Sequence, residues 1–295
     1  MLVVTSNAGM THDMKEELDD SRDVALEDEA RRAIDGDRNA LERLVRAIQG
    51  DVYGLALRML CNREDAEDAT QEILVRIVTR LSQFDFRSKL KTWAYRVAVN
   101  YVLDVKKSAV ERLHLSFERF AEDLTGDLNL EAPAETERSL LIEEVKVGCT
   151  LAMLQCLDRP HRLAYVLGEI LELPGAEAAE ALEISPSLFR KRLQHARAAI
   201  LTFTRAYCGL ASDNAVCTCN RQAPAAMRAG KVSMESWAYA GRASSFQETR
   251  ALVRQVDEAR WALEVHRGSH PRPSAVDFAR RLIHTLDAGQ DPPAG

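Results

Sequence analysis

Apolar positions recur at helical spacing along most of this chain, and no stretch alternates apolar and polar residues as a half-buried strand would. Between Ala66 and Leu81 the residues Ile73, Ile77 and Leu81 make one stripe with Leu74 and Val78 beside it, while Asp68, Gln71 and Glu72 point elsewhere. From Lys91 to Lys107, Trp93, Val97 and Tyr101 are in phase, which favours a core anchor over a stacking platform for Trp93, whereas Arg96, Asn100 and Lys107 share a separate stripe. Residues 176–205 predict a short helix, a tight turn and a longer helix with Phe189, Leu193, Ala196 and Ile200 on its buried side. Ser185 is a good N-cap there and Pro186 suits the first helical position. Near the end, Leu252, Val256, Ala259 and Leu263 are in phase, and a last helix is expected to start at Ser274. Asp277 would complete a capping box there, ahead of Phe278, Leu282 and Leu286.

The elements add up to an all-α protein: two helical domains joined by a flexible acidic linker, plus a small helical C-terminal extension. The 295 residues are enough for two or three small domains. Residues 1–25 are acidic, lack periodicity and are expected to be disordered; the first domain covers 26–107 and the second 138–207. The linker, 108–137, contains Gly126 and Pro133 and carries Glu118, Glu122, Asp123, Asp127 and Glu131. A cysteine-containing segment, 208–243, leads into the extension, 244–295. No apolar run approaches the length of a membrane span and the N-terminus is no export signal, which predicts a cytoplasmic protein with no membrane partner.

Charge changes the picture through its distribution. The net charge is −6, yet Arg87, Lys89, Lys91, Arg96, Lys106 and Lys107 face a single nearby acid, Asp104, and Pro186–Arg205 holds Arg190, Lys191, Arg192, Arg197 and Arg205 with no acid at all. Two basic patches in an acidic chain suit local phosphate contacts with weak non-specific DNA affinity. Ser187, Arg190, Lys191 and Gln194 lie opposite the buried stripe of the longer helix, near its start. That is where a helix-turn-helix reader presents side chains to the major groove.

The stretch NREDAEDATQEILVRIVTRLSQFDFRSKLKTWAYRVAVNYVLDVKK resembles region 2 of the extracytoplasmic-function (ECF) sigma factors of bacterial RNA polymerase. The later stretch LDRPHRLAYVLGEILELPGAEAAEALEISPSLFRKRLQHARAAI resembles their region 4. The likeness covers about 38–207, with both motifs in order and a linker between them. It implies a subunit that binds core RNA polymerase and directs promoter recognition, opening the −10 element with the first domain and reading the −35 element with the second. Core polymerase, through its β′ coiled coil and β subunit, and promoter DNA are the implied partners, and an anti-sigma factor is a further candidate. By the same resemblance Asp68, Gln71 and Glu72 form the polymerase-docking face. Phe84, Phe86, Arg87 and Lys89 supply apolar and cationic groups suited to an extruded base, and Arg96, Asn100 and Lys107 continue that surface. On the second domain Arg190, Lys191 and Gln194 are the base-edge candidates, with Ser187 on the same DNA-facing side, and Arg192 and Arg197 on the flanks clamp phosphates or pack their stems. Two departures stand out: Glu183 occupies the turn position usually held by glycine, and SLFRKR replaces the usual start of the recognition helix.

No phosphate-cradling glycine loop, metalloprotease helix or activated Ser or Cys nucleophile is recognisable, so enzyme chemistry is not expected. Cys149 and Cys156, seven apart on one predicted helix, read as core thiols. Cys208, Cys217 and Cys219 stand close in a Gly-, Asn- and Asp-rich loop. They could hold Zn²⁺ with a fourth ligand from elsewhere, work as a redox pair, or simply pack; no cofactor is required otherwise. The alternative reading is a stand-alone helix-turn-helix regulator whose C-terminal segment senses metal or redox state.

Overall fold

In the computed structural model the described residues are 12–105, 109–126, 138–212, 214, 215, 217–228, 263, 265, 266, 271 and 273–288. Among them helices account for the regular structure, and no strand is longer than an isolated bridge between Cys208 and Cys217. In chain order the helices are α1 (His12–Ile34), α2 (Arg38–Leu60), α3 (Arg63–Thr79), α4 (Leu90–Asp104), α5 (Ala109–Arg112) and α6 (Phe117–Thr125). There follow α7 (Arg138–Gln155), α8 (Arg159–Tyr165), α9 (Gly175–Ala181), α10 (Pro186–Tyr207), α11 (Cys219–Arg228) and α12 (Phe278–Ala288).

Helix starts follow local chemistry. Asp37, Asn62, Ser116, Asp158 and Ser185 each accept a backbone N–H three residues on, which satisfies an otherwise orphaned donor in the first turn. Helix α1 begins at His12, inside the stretch expected to be disordered. Its apolar side chains do not segregate to one face, so periodicity could not reveal it; Glu-to-Arg pairs such as Glu27–Arg31 support it instead. The last helix also departs from expectation. Asp277, not Ser274, is its N-cap, taking the Arg280 N–H at 3.0 Å. Ser274 Oγ accepts from the Val276 N–H and donates to Glu67 Oε1 at 2.7 Å, so it shapes the approach to the helix rather than its start.

The α2–α4 bundle buries Leu44, Leu55, Leu57, Met59, Ile73, Leu74, Ile77, Leu90 and Trp93, and this apolar core continues into Leu163, Tyr165, Leu167, Phe189, Leu193, Ala196 and Ile200 of α8–α10. Phe278, Ala279 and Leu282 of α12 close the same core over α2 and α3. Between α8 and α9 the chain makes one π-helical turn, Val166–Ile170, which brings Gly168 against α10. A Cβ on Gly168 would stand 3.0 Å from the Phe189 ring and 3.1 Å from Leu193.

The expected flexible linker is in part ordered. Helix α6 lays Phe117 and Phe120 on Phe203 of α10, at ring separations of 5.2 and 5.3 Å, and buries Leu124. The acidic residues of this stretch masked an apolar i, i+3, i+7 pattern at Phe117, Phe120 and Leu124. Ahead of it, Glu111 is buried and bridges Arg159 (2.7 Å) and Arg162 (3.0 Å). The two arginines also donate to carbonyls at the ends of the first bundle: Arg162 to Met59 at 2.6 Å, Arg159 to Leu103 and Val105 at 3.0 Å. Cations at helix C-termini meet both unpaired carbonyls and the negative end of the helix dipole. Asp127, Glu131 and the rest of 127–137 lie outside the described residues, as does all of 229–262, including Leu252, Val256 and Ala259.

Candidate nucleic-acid interface

Helices α9 and α10 form a helix-turn-helix whose turn is closed by the Ile184 N–H donating to Ala179 O at 3.1 Å. Glu183 sits in this turn at φ +52°, the left-handed region in which a Cβ is unfavourable, which answers the absent glycine noted in the sequence. Ser185 caps α10 through the Leu188 N–H at 3.2 Å, and Phe189, Leu193, Ala196 and Ile200 are buried. The opposite row is open: Ser187, Arg190, Lys191 and Gln194 are exposed, and Arg192 is half-buried beside them. Arg197 is different, because its guanidinium is tied to the buried carboxylate of Glu169. His195 lies against His161, ring centroids 4.6 Å apart.

The loop between α3 and α4 is less open than its sequence suggests. Phe84 is 4% exposed, wedged between Phe86 (4.6 Å) and Trp93 (5.4 Å). It is a core residue here and not a surface for an extruded base, because the short 3₁₀ turn Leu81–Gln83 directs it inward. Phe86 adopts φ +57° and lies half-buried beneath the guanidinium of Arg31, 4.4 Å from its ring centre. Arg87 is exposed and paired with Asp85. Lys89 reaches Asp23 of α1 at 3.0 Å and Glu177 of α9 at 3.3 Å. Against the pull of partial burial, these two carboxylates hold its ammonium charged and raise its pKa. Glu177 also accepts from Thr92 Oγ1 at 3.1 Å. On α4, Asn100 is exposed and Arg96 half-buried; Lys107 lies outside the described residues. Trp93 is buried, as its phase with Val97 and Tyr101 predicts.

On α3, Asp68 and Glu72 are exposed, while Gln71 is half-buried with its Oε1 shielded from water and without a hydrogen-bond partner. Arg76 of the same helix lies over the Tyr101 ring at 4.6 Å, next to Asp68 and Glu72. The structure thus holds three surfaces: an acidic face on α3, the α10 row, and a loop-and-α4 surface partly covered by α1 and α9. Glu177, Asp23 and Arg31 belong to that cover, and nothing local in the sequence marks them; they meet the loop only through tertiary packing.

None of the six cysteines is in a disulfide. Cys208 and Cys217 are paired in the isolated bridge, and Cys219 begins α11. Among the described residues no three His, Cys, Asp or Glu side chains are disposed as a metal-ligating group, and no helix is long and apolar enough to cross a membrane.

Residues 44–111 match the sequence profile of sigma-70 region 2. The chain is similar to the ECF RNA polymerase sigma factor SigW of Bacillus subtilis, 29% identical over 177 residues that span 56% of this chain and 89% of SigW. It is also similar to the RNA polymerase sigma factor NccH of Alcaligenes xylosoxydans xylosoxydans, 30% identical over 182 residues, 61% of this chain and 93% of NccH. Among solved structures it is similar to CnrH in complex with the cytosolic domain of CnrY, at 22% identity and a TM-score of 0.42, covering 59% of this chain and 94% of that one.

Proposed function

This chain belongs to the ECF sigma factors of RNA polymerase and acts in transcription initiation; from that premise we propose how its surfaces divide the work. The α3 face of Asp68, Gln71 and Glu72 docks on the β′ coiled coil of core polymerase, with the β subunit as a second contact. Acidic and amide groups suit protein docking and would repel a DNA backbone. Ser187, Arg190, Lys191 and Gln194 enter the major groove of the −35 element. Arg and Gln can make bidentate contacts to guanine and adenine, each worth about 1–3 kcal/mol of discrimination. Arg192 holds phosphate; Arg197 does so only after leaving Glu169. At the −10 element Phe86, Arg87, Lys89, Arg96, Asn100 and Lys107 meet the opened strand, and Phe84 supports Phe86 from the core.

The observation that carries this reading is the exposed cationic row at the start of α10, set on a capped helix whose other side is fully buried. The polymerase supplies the phosphodiester chemistry, the sigma factor supplies the address, and the place of action is the cytoplasm. The residues past 207 act as a regulatory extension. Supporting this, α12 packs on α2 and α3 beside the docking face, through Ser274 with Glu67 and Arg46 with Asp277 (3.2 Å).

In vitro transcription with purified core polymerase, with and without the protein, across a library of bacterial promoter fragments tests the proposal. Start sites that depend on the protein, sharing two spaced sequence elements, are the expected result. Tight binding to duplex DNA with no polymerase-dependent initiation would overturn it.

A further inference from the structure

Between α2 and the segment that leads into α12 lies a solvent-open cleft of about 280 Å³. One wall is α2, where Gly50 and Gly54 stand one turn apart; the other is 271–278, stiffened by Pro271 and Pro273. Glycine weakens a helix interior relative to alanine, and neither of these two takes a positive φ that would demand it. What they provide is room. A Cβ on Gly50 would meet nothing within 4 Å, and one on Gly54 would stand 3.1 Å from Nη1 of Arg58. Tyr53 and Phe278, both buried and 6.2 Å apart between ring centroids, line the cleft from the core side.

Arg58 is the unbalanced charge in this cleft. Its Nη1 donates to Gly54 O at 3.0 Å, and among the described residues its guanidinium has no ion-pair partner. Asp51, the acid whose charge reaches it, is held by Lys91 at 2.9 Å. His266, buried close by, is kept neutral by its burial and by Arg58 itself, so it offers no negative charge. Gln49 and Ser274 on the walls are engaged, Gln49 Oε1 with the Ala279 N–H at 3.2 Å and Ser274 Oγ with Glu67 and the Val276 N–H. Burial pushes Arg58 down to about 10, so the group stays charged at neutral pH while it gives up part of its hydration. Its Nε–Nη2 edge is left over. That is the edge on which Arg43 takes Glu29 side-on, at 2.9 and 2.8 Å, elsewhere in the molecule.

We propose that this cleft is a binding site for a small organic carboxylate with a ring-sized apolar body, received side-on by Arg58. A carboxylate matches the two parallel donors of the free guanidinium edge. The apolar body displaces water from Leu57, Val276 and Phe278. The volume suffices, since a cavity of about 150 Å³ already holds benzene. No existing ion pair has to break, and the proline-stiffened wall stands ready, so little has to be ordered on binding. An occupant touches α2 on one side and 271–278 on the other, and so fastens α12 to the first domain. The site is separate from the surfaces assigned to polymerase and DNA and does not depend on that assignment.

Calorimetric titration of the full chain alone with benzoate tests the proposal, with benzamide and acetate as comparisons. One site per chain is expected for benzoate. Benzamide keeps the shape without the charge and acetate keeps the charge without the ring; each is expected to bind at least about tenfold more weakly. Arg58→Gln is expected to weaken benzoate binding by at least about tenfold as well. Gly50→Leu puts a side chain into the open space of the cleft and is expected to abolish binding. It replaces a glycine inside a helix, so the melting temperature should not fall, and it decides the matter even if Arg58→Gln does not fold. No saturable uptake of benzoate, or uptake untouched by Gly50→Leu, would overturn the proposal. So would acetate binding as tightly as benzoate, which would reduce Arg58 to an ordinary surface cation.

Discussion

Glu111 carries more of the structure than its place in an acidic stretch suggests. Its carboxylate is buried between Arg159 and Arg162, and Arg162 in turn donates to the carbonyls of Met59, Leu154 and Leu157. Burial lowers the Arg162 pKa, and the Glu111 charge works against that loss. Removing the acid would leave two guanidinium groups close together, one of them almost wholly out of water. Breaking one partner of a buried pair typically costs about 3–5 kcal/mol. Glu111→Ala is therefore expected to lower the free energy of unfolding by that order, measured by urea denaturation of the full chain. Glu122→Ala, on the exposed side of α6, should change it by less than about 0.5 kcal/mol. Equal effects of the two would mean that the Glu111 network does not hold the helices together.

At the scale of elements, periodicity and caps were legible and partnerships were not. Ser185, Pro186 and the Phe189–Ile200 stripe define α10 because a helix start and a buried face are written in adjacent residues. Phase favoured a core place for Trp93 over a stacking one, and the residue is buried; Phe84 offered no such guide, since a loop aromatic has no period and its direction depends on the turn before it. The ordering of α6 was hidden by its charge, and the cap of α12 went to Asp277 because Ser274 was occupied by Glu67, a residue more than two hundred positions away. Among α10 side chains, the open row and the tied Arg197 should behave differently in function. Arg190→Ala is expected to change the ranking of promoters by about 1–3 kcal/mol at one base position. Arg197→Ala removes the guanidinium paired with the buried Glu169 and should weaken binding evenly across promoters while lowering stability. Binding of the polymerase holoenzyme to a −35 single-substitution library separates the two. An even loss for Arg190→Ala would show that it touches phosphate and not a base.

For the whole molecule the decisive feature is closure. Glu177 of α9 and Asp23 of α1 grip Lys89, Thr92 bonds Glu177, and Arg31 covers Phe86, so the surface assigned to the opened strand is partly covered. In the same arrangement Arg159 and Arg162 clasp the carbonyl ends of α2 and α4. A duplex turn spans about 34 Å, and two promoter elements more than two turns apart cannot be read by a helix-turn-helix folded against its partner domain. On the proposed division of work, binding to promoter DNA selects an opened state, and every contact that holds the closed one reduces the apparent affinity. Partly exposed ion pairs are worth about 0–1 kcal/mol, so Glu177→Gln should tighten binding to a forked −10 fragment by up to about fivefold, since tenfold corresponds to about 1.4 kcal/mol. Glu180→Gln, exposed on the same helix, removes a like charge without touching Lys89 and serves as the comparison. Fluorescence anisotropy of holoenzyme with labelled fork DNA gives both values. If Glu177→Gln and Glu180→Gln tighten binding equally, the gain comes from lost negative charge alone and α9 does not hold the strand-opening surface shut.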